Sequence, residues 1–124
     1  MEELNDLTYK IIGCAYKVHK ALGPGLLEST YEACLKHELL KANLKAKSQH
    51  ALPIKYDTIE LDAGYRVDLL VEDSIILELK AVEEIKSIHK AQLITYLKLS
   101  GLKLGLILNF NVINMQKGIK RVII

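Results

Sequence analysis

Residues 65–80 read Tyr-Arg-Val-Asp-Leu-Leu-Val-Glu-Asp-Ser-Ile-Ile-Leu-Glu-Leu-Lys, two apolar runs flanking a polar Glu72-Asp73-Ser74. The pattern predicts an antiparallel hairpin. Three charges interrupt its apolar runs: Asp68, Glu78 and Lys80. A charge taken out of water in a half-buried strand costs several kcal/mol unless it is paired, hydrogen-bonded or bound to a metal. Side chains alternate along a strand, so Glu78 and Lys80 share a face with Ile76, while Ile75, Leu77 and Leu79 take the other. A three-residue loop, Glu72–Ser74, would set Asp68 opposite Glu78 and bring the three charges together. A two-residue loop would put Asp68 and Glu78 on opposite faces. Converged, two carboxylates and an ammonium would suit a hard cation and a water nucleophile.

The elements around the hairpin follow from apolar spacing. Leu4, Leu7, Ile11, Ile12, Ala15, Val18 and Leu22 recur at helical intervals and predict an amphipathic helix over 4–22. Gly23-Pro24-Gly25 stops it, and a second helix is expected over 26–42, with Gly25 as its N-cap and Asn43 as a left-handed C-terminal residue. Residues 47–56 read as an extended segment that Pro53 confines to an edge. Residues 57–63 form either a turn and a short strand or an extension of the strand carrying Asp68. Ser87 is the expected N-cap of a third helix, 88–100, closed by Gly101. Strands over 103–110 and 119–124 complete a mixed sheet flanked by helices, an α/β (α+β) class.

A chain of 124 residues, half of them hydrophobic, suffices for one domain spanning 1–124. The N-terminal residues lack the basic and apolar regions of a signal peptide, and no apolar run reaches about 18 residues, so a cytoplasmic location is expected. Cys14 and Cys34 fit two small apolar side chains in a reducing compartment. With a net charge of +2 and fifteen lysines among seventeen cations, any contact with nucleic acid is expected at the backbone, with little sequence preference.

Each constellation has a plain alternative. Asp68, Glu78 and Lys80 could form a solvated ladder. Glu28 could serve only the start of its helix, and Tyr31 could be core. The functional alternative has Glu28 and Tyr31 facing the hairpin, with Glu28 as a third carboxylate. His89, Gln92, Tyr96 and Leu99 fall on one helical stripe, either a half-wet boundary or, at Gln92 and Tyr96, a site for a phosphate or water. A zinc site at Cys34 and His37 lacks further ligands and ranks low.

Taken in order, Gly25-x-x-Glu28-x-x-Tyr31, Tyr-Arg-Val-Asp68-Leu-Leu-Val, Glu78-Leu-Lys80-Ala-Val, Ala-Gln92-Leu-Ile-Thr-Tyr96-Leu and Gly-Leu-Ile-Leu-Asn-Phe resemble the GxxExxY family, grouped with the PD-(D/E)XK nuclease superfamily. The resemblance covers nearly the whole chain. It implies a restriction-endonuclease-like core, a central mixed sheet flanked by helices, and a metal-dependent nuclease; oxygen-only ligands make Mg²⁺ or Mn²⁺ the expected ion. By the same resemblance Asp68 and Glu78 match the metal-binding carboxylates and Lys80 the motif lysine. Glu28 matches the helix acid of several branches, and Gln92 with Tyr96 the Gln-x-x-x-Tyr motif of exonuclease-like branches. Val67 stands where the motif name has proline.

The expected site therefore has Asp68, Glu78, the Leu79 carbonyl and Glu28 around the metal, Lys80 acting on the water, and Gln92, Tyr96 and Tyr31 positioning substrate. The expected partner is nucleic acid, DNA ahead of RNA, without a membrane, and with a homodimer or a further protein partner envisaged. The alternative function is a non-catalytic nucleic-acid-binding or protein-assembly module that keeps the nuclease fold.

Overall fold

The computed structural model describes residues 2–124. In chain order the elements are α1 (Glu2–Leu22), α2 (Glu28–Lys41), β1 (Ala46–Ala51), β2 (Ile54–Tyr56), β3 (Ile59–Leu61), β4 (Arg66–Val71), β5 (Ile75–Lys80), α3 (Ser87–Ser100), β6 (Leu104–Asn109), a 3₁₀ turn (Met115–Gly118) and β7 (Ile119–Ile123). Five strands form one sheet in the order β1-β4-β5-β6-β7, and β2 with β3 forms a separate small hairpin. Only β5 and β6 are parallel among the neighbours of the main sheet. A parallel pair needs a crossover, and α3 supplies it. This is the expected mixed sheet flanked by helices, consistent with a restriction-endonuclease-like core.

The two faces of the sheet carry separate cores. On one, Ile11, Ala15 and Val18 of α1 and Tyr31, Leu35 and Leu39 of α2 pack on Leu69, Ile75, Leu77, Leu79, Leu106 and Leu108. On the other, Leu93, Tyr96 and Leu97 of α3 pack on Val67, Leu70, Ile76 and Ile107. The central strands β5 and β6 are buried on both faces, which explains their nearly continuous apolar sequence. Gly105 lets α3 lie close, because a Cβ there would stand 2.7 Å from Leu93 Cδ1.

Several boundaries differ from expectation. The second helix starts at Glu28 with Leu27 as N-cap, so Glu28 is its first residue and Gly25 lies in the preceding loop. The reason is the turn itself: Gly23 and Gly25 both take positive φ, 71° and 99°. The α3 N-cap is Lys86, with Ser87 the first helical residue, because His89, three residues on, reaches back so that its Nδ1 accepts the Lys86 N–H at 3.0 Å. The extended segment 47–56 is split at Leu52-Pro53 into β1, at the edge of the main sheet, and β2. Residues 57–63 resolve as a turn and a short strand, with Asp57 at φ 52°. Asn43 takes the expected left-handed conformation, φ 63°.

Tyr31 holds the Gly-Pro-Gly loop. Its ring is fully buried and stacks on Phe110, with centroids 4.6 Å apart. Its hydroxyl donates to the Gly23 carbonyl at 2.6 Å and accepts the Leu26 N–H at 3.1 Å. Tyr31→Phe keeps the stack but strands both loop groups, so stability should fall by about 1–2 kcal/mol. Denaturant unfolding measures that loss. Any activity of the folded variant should match the parent, since the hydroxyl serves the loop.

Candidate active site

The β4–β5 turn has the three residues Glu72–Ser74, and the strands pair Val71 with Ile75, Leu70 with Ile76 and Leu69 with Leu77. Continuing this register by one residue sets Asp68 opposite Glu78. There the backbone ladder stops and side chains replace it. The Asp68 N–H donates to Glu78 Oε2 at 2.9 Å, and the Leu79 N–H donates to Asp68 Oδ2 at 2.8 Å. Each carboxylate thus caps a backbone group that the opening ladder leaves without its strand partner.

The opening extends across β4. Pairing with β1 runs through Ser48–Leu69 and resumes at His50–Val67, skipping Gln49, which has φ 49°. Val67 and Leu69 belong to different cores, although strict alternation would put them on one face. The strand therefore changes phase at Asp68. This break lets Asp68 meet Glu78 on β5 and the Gln49 amide on β1.

Gln49 makes the link to α2. Its amide donates to Glu32 Oε1 at 2.7 Å and lies 3.4 Å from Asp68 Oδ1. Glu32 is half-buried, and burial raises its pKa, with the Gln49 hydrogen bond opposing and Asp68 adding to the rise. Glu78 is only 6% exposed. Burial, reinforced by the Asp68 charge, pushes its carboxyl up to about 8, against the opposing pull of the Asp68 N–H and Lys80. The Tyr96 hydroxyl is also raised, by burial first and then by Glu78, Tyr65 and Asp68. The field thus couples β4, β5, α2 and α3 at one place.

Lys80 follows on β5, half-buried, and its ammonium forms no ion pair within 4.0 Å among the described residues. Its backbone is fixed, since the Lys80 carbonyl accepts the Phe110 N–H at 3.0 Å. Asn109, paired with Lys80 across the strands, accepts the Val82 N–H at 3.1 Å and donates to the Val82 carbonyl at 2.9 Å. The chain leaving the site is held by that amide.

The other expected residues divide. Tyr96, buried on α3, lies within the field of Glu78 and Asp68. Exposed Gln92 shares with Tyr65, Thr95 and Tyr96 the rim of a cleft of about 430 Å³. His89 lines a different cleft, with Val82, Glu83 and Glu84. Glu28 is exposed at the start of α2, one turn before Glu32, whose titration its charge affects. Tyr31 points into the core and does not share a hairpin-facing side with Glu28. Glu32 and Gln49 were not singled out from the sequence. Their only signals were the four-residue step from Glu28 and a strand register that required the fold.

Among the described residues no three of His, Cys, Asp and Glu form a ready metal cage. The donor set nevertheless fits a hard divalent ion that retains waters: two adjoining carboxylates, one of them buried against its own charge, with Glu78 Oε1 and Asp68 Oδ1 not bound to backbone.

Compared with known families, residues 5–122 match the model of the PD-(D/E)XK nuclease superfamily. The chain belongs to that superfamily. Membership of the PD-(D/E)XK superfamily points to a nuclease, to a nucleic-acid substrate and to the divalent-metal dependence general in such enzymes. No curated protein and no solved structure matches the chain. No helix among the described residues is long and apolar enough to cross a membrane.

The raised Glu78 pKa gives this PD-(D/E)XK site a pH signature in chelator. The folded chain holds the Glu78 proton up to about pH 8, whereas an unfolded glutamate releases it near 4.5. Between these values the folded state binds more protons, so stability should fall as pH rises. The loss should reach a few kcal/mol, since each pH unit between the two values contributes about 1.4 kcal/mol. Glu78→Gln should flatten the profile. Urea midpoints between pH 5 and 8.5 in chelator test this, and parallel slopes for parent and variant would remove Glu78 as the cause.

Proposed function

We propose that the chain is a nuclease hydrolysing phosphodiester bonds in DNA, with RNA the less favoured substrate, and that it is of the GxxExxY type within its superfamily. The observation that carries this reading is the Asp68–Glu78 clasp at the break in the sheet, with Lys80 next on the same strand. Asp68, Glu78, the Leu79 carbonyl and, from α2, Glu32 or Glu28 would hold Mg²⁺ or Mn²⁺. Bound there, the ion would offset the carboxylate charge, acidify a water and stabilise negative charge on the phosphate.

The chain's own groups act around that point. Lys80, without a carboxylate partner among the described residues, would hold a phosphate oxygen or orient the attacking water by donation from its ammonium. The half-buried setting strengthens such contacts relative to bulk water. Gln92 and Tyr96 offer an amide and a phenol on the α3 side to position the substrate. Tyr31 positions no substrate in this reading; it shapes the loop that starts α2.

One observation favours a second reading, a non-catalytic binding or assembly module. The Asp68 and Glu78 carboxylates already satisfy backbone groups, so the clasp has a structural use even without chemistry. Incubating pure protein with single- and double-stranded DNA and RNA, in Mg²⁺, Mn²⁺ or chelator, separates the two. Metal-dependent cleavage is expected; binding without cleavage in every condition would favour the module.

Asp68→Asn removes one charge at nearly constant shape. Cleavage should fall by about a hundredfold or more, the scale of losing one electrostatic contact to a transition state. In chelator the folded variant should bind nucleic acid at least as tightly as the parent, because one repulsion against phosphate is gone. The comparison is made at fixed salt, since lysine contacts to phosphate weaken steeply as salt rises. Parent-like cleavage by the variant would remove Asp68 from the metal site.

Lys80→Arg keeps the charge but replaces a compact ammonium by a wide planar fork. Turnover should drop by about tenfold or more, with little change in thermal stability. A fully active arginine variant would reduce Lys80 to a general cation.

A further inference from the structure

Helix α1 has a second regular stripe that its own core does not use. Glu2, Asp6, Tyr9, Gly13, Tyr16 and Lys20 follow one another in steps of four and three, all exposed, opposite the face that buries Ile11, Ala15 and Val18. Tyr9 is 81% and Tyr16 42% exposed. Steps of four and three place side chains along one seam of the kind through which two helices pair.

Gly13 in that stripe has no use within the chain. It lies mid-helix without positive φ, and a Cβ built there would meet nothing within 4 Å. Glycine in such a place weakens a helix relative to alanine. An approaching helix would give it a use, because the missing side chain leaves a notch beside two tyrosines.

From this arrangement we propose that α1 is a homodimer interface, two copies packing antiparallel about a two-fold axis level with Ile11. The stripe is self-complementary in that direction. Glu2 meets Lys20 of the second copy, Asp6 meets the Tyr16 hydroxyl, and the Tyr9 ring enters the Gly13 notch. Two-fold symmetry makes every contact twice. A parallel pairing would instead set acid on acid and lysine on lysine, which disfavours it.

The loop after β6 adds apolar surface on one flank. His19 Nε2 contacts the Val112 carbonyl at 2.7 Å, which ties this loop to the C-terminal half of α1. Its Ile113 is 92% exposed. A helix of 21 residues spans about 30 Å, so a single helix pair gives a small interface and a reversible dimer.

Sedimentation equilibrium over a series from about 1 µM to about 1 mM covers the range for such an interface. The parent should move from monomer to dimer within it. Gly13→Gln fills the notch with a better helix former, so the variant should be at least as heat-stable as the parent yet associate at least about tenfold more weakly. Glu2→Lys and Lys20→Glu should each weaken association several-fold, and the double variant should recover it, since the reversed pair restores both contacts. A parent that stays monomeric to about 1 mM overturns the proposal. So does a dimer that Gly13→Gln leaves intact, because it would then form through another face.

Discussion

The structure depends on how two carboxylates are accommodated at a break in the sheet. Asp68 and Glu78 face each other where β4 and β5 would otherwise continue their ladder, and each instead accepts a backbone N–H from the opposite strand. The arrangement satisfies peptide groups that the separating strands leave open. It also keeps two acidic groups adjacent, and with Glu78 nearly excluded from water the pair resists carrying both charges, so Glu78 holds its proton up to about pH 8. A structural ladder would have been better served by a neutral pair. A cation at the pair, as proposed, would favour the ionised form of both acids and displace the Glu78 proton.

The rest of the architecture holds that break in place. Buried strands β5 and β6 supply a rigid parallel pair, and Asn109 fastens the segment after Lys80 through Val82. On one face Tyr31 stacks on Phe110 and braces the loop that starts α2, which brings Glu32 toward Gln49 and Asp68. On the other, Gly105 admits Leu93 so that α3 lies close and Tyr96 comes within the field of Glu78. Titratable groups on four elements meet at one end of the hairpin, and each arrives through apolar packing remote from it.

Much of this was legible in the residues. Alternation placed Glu78 and Lys80 on the face opposite Leu77 and Leu79, and a turn of three polar residues supplied the even register that brings Asp68 to Glu78. Gly101 and Asn43 marked helix ends because their left-handed conformations have strong residue preferences. Glu28 lies two helical positions nearer the helix start than its spacing from Gly25 implies, since a Gly-Pro-Gly loop can place its cap at any of several residues. The cap of α3 moved to Lys86 because His89, three residues on, reaches back to accept the Lys86 N–H, a capping-box contact that no residue three past Ser87 makes.

The sequence by itself determined the local elements, the order of the motifs and the identity of the three charged residues on the central hairpin, because periods of two and 3.6 residues and turn chemistry act over a few neighbouring positions. Only the tertiary structure decided that Glu32, through Gln49, joins Asp68, and that Tyr31 belongs to the core. It also decided that β4 changes phase at Asp68. These depend on long-range register and on which helix covers which face, and burial fixes both only when the whole sheet has assembled.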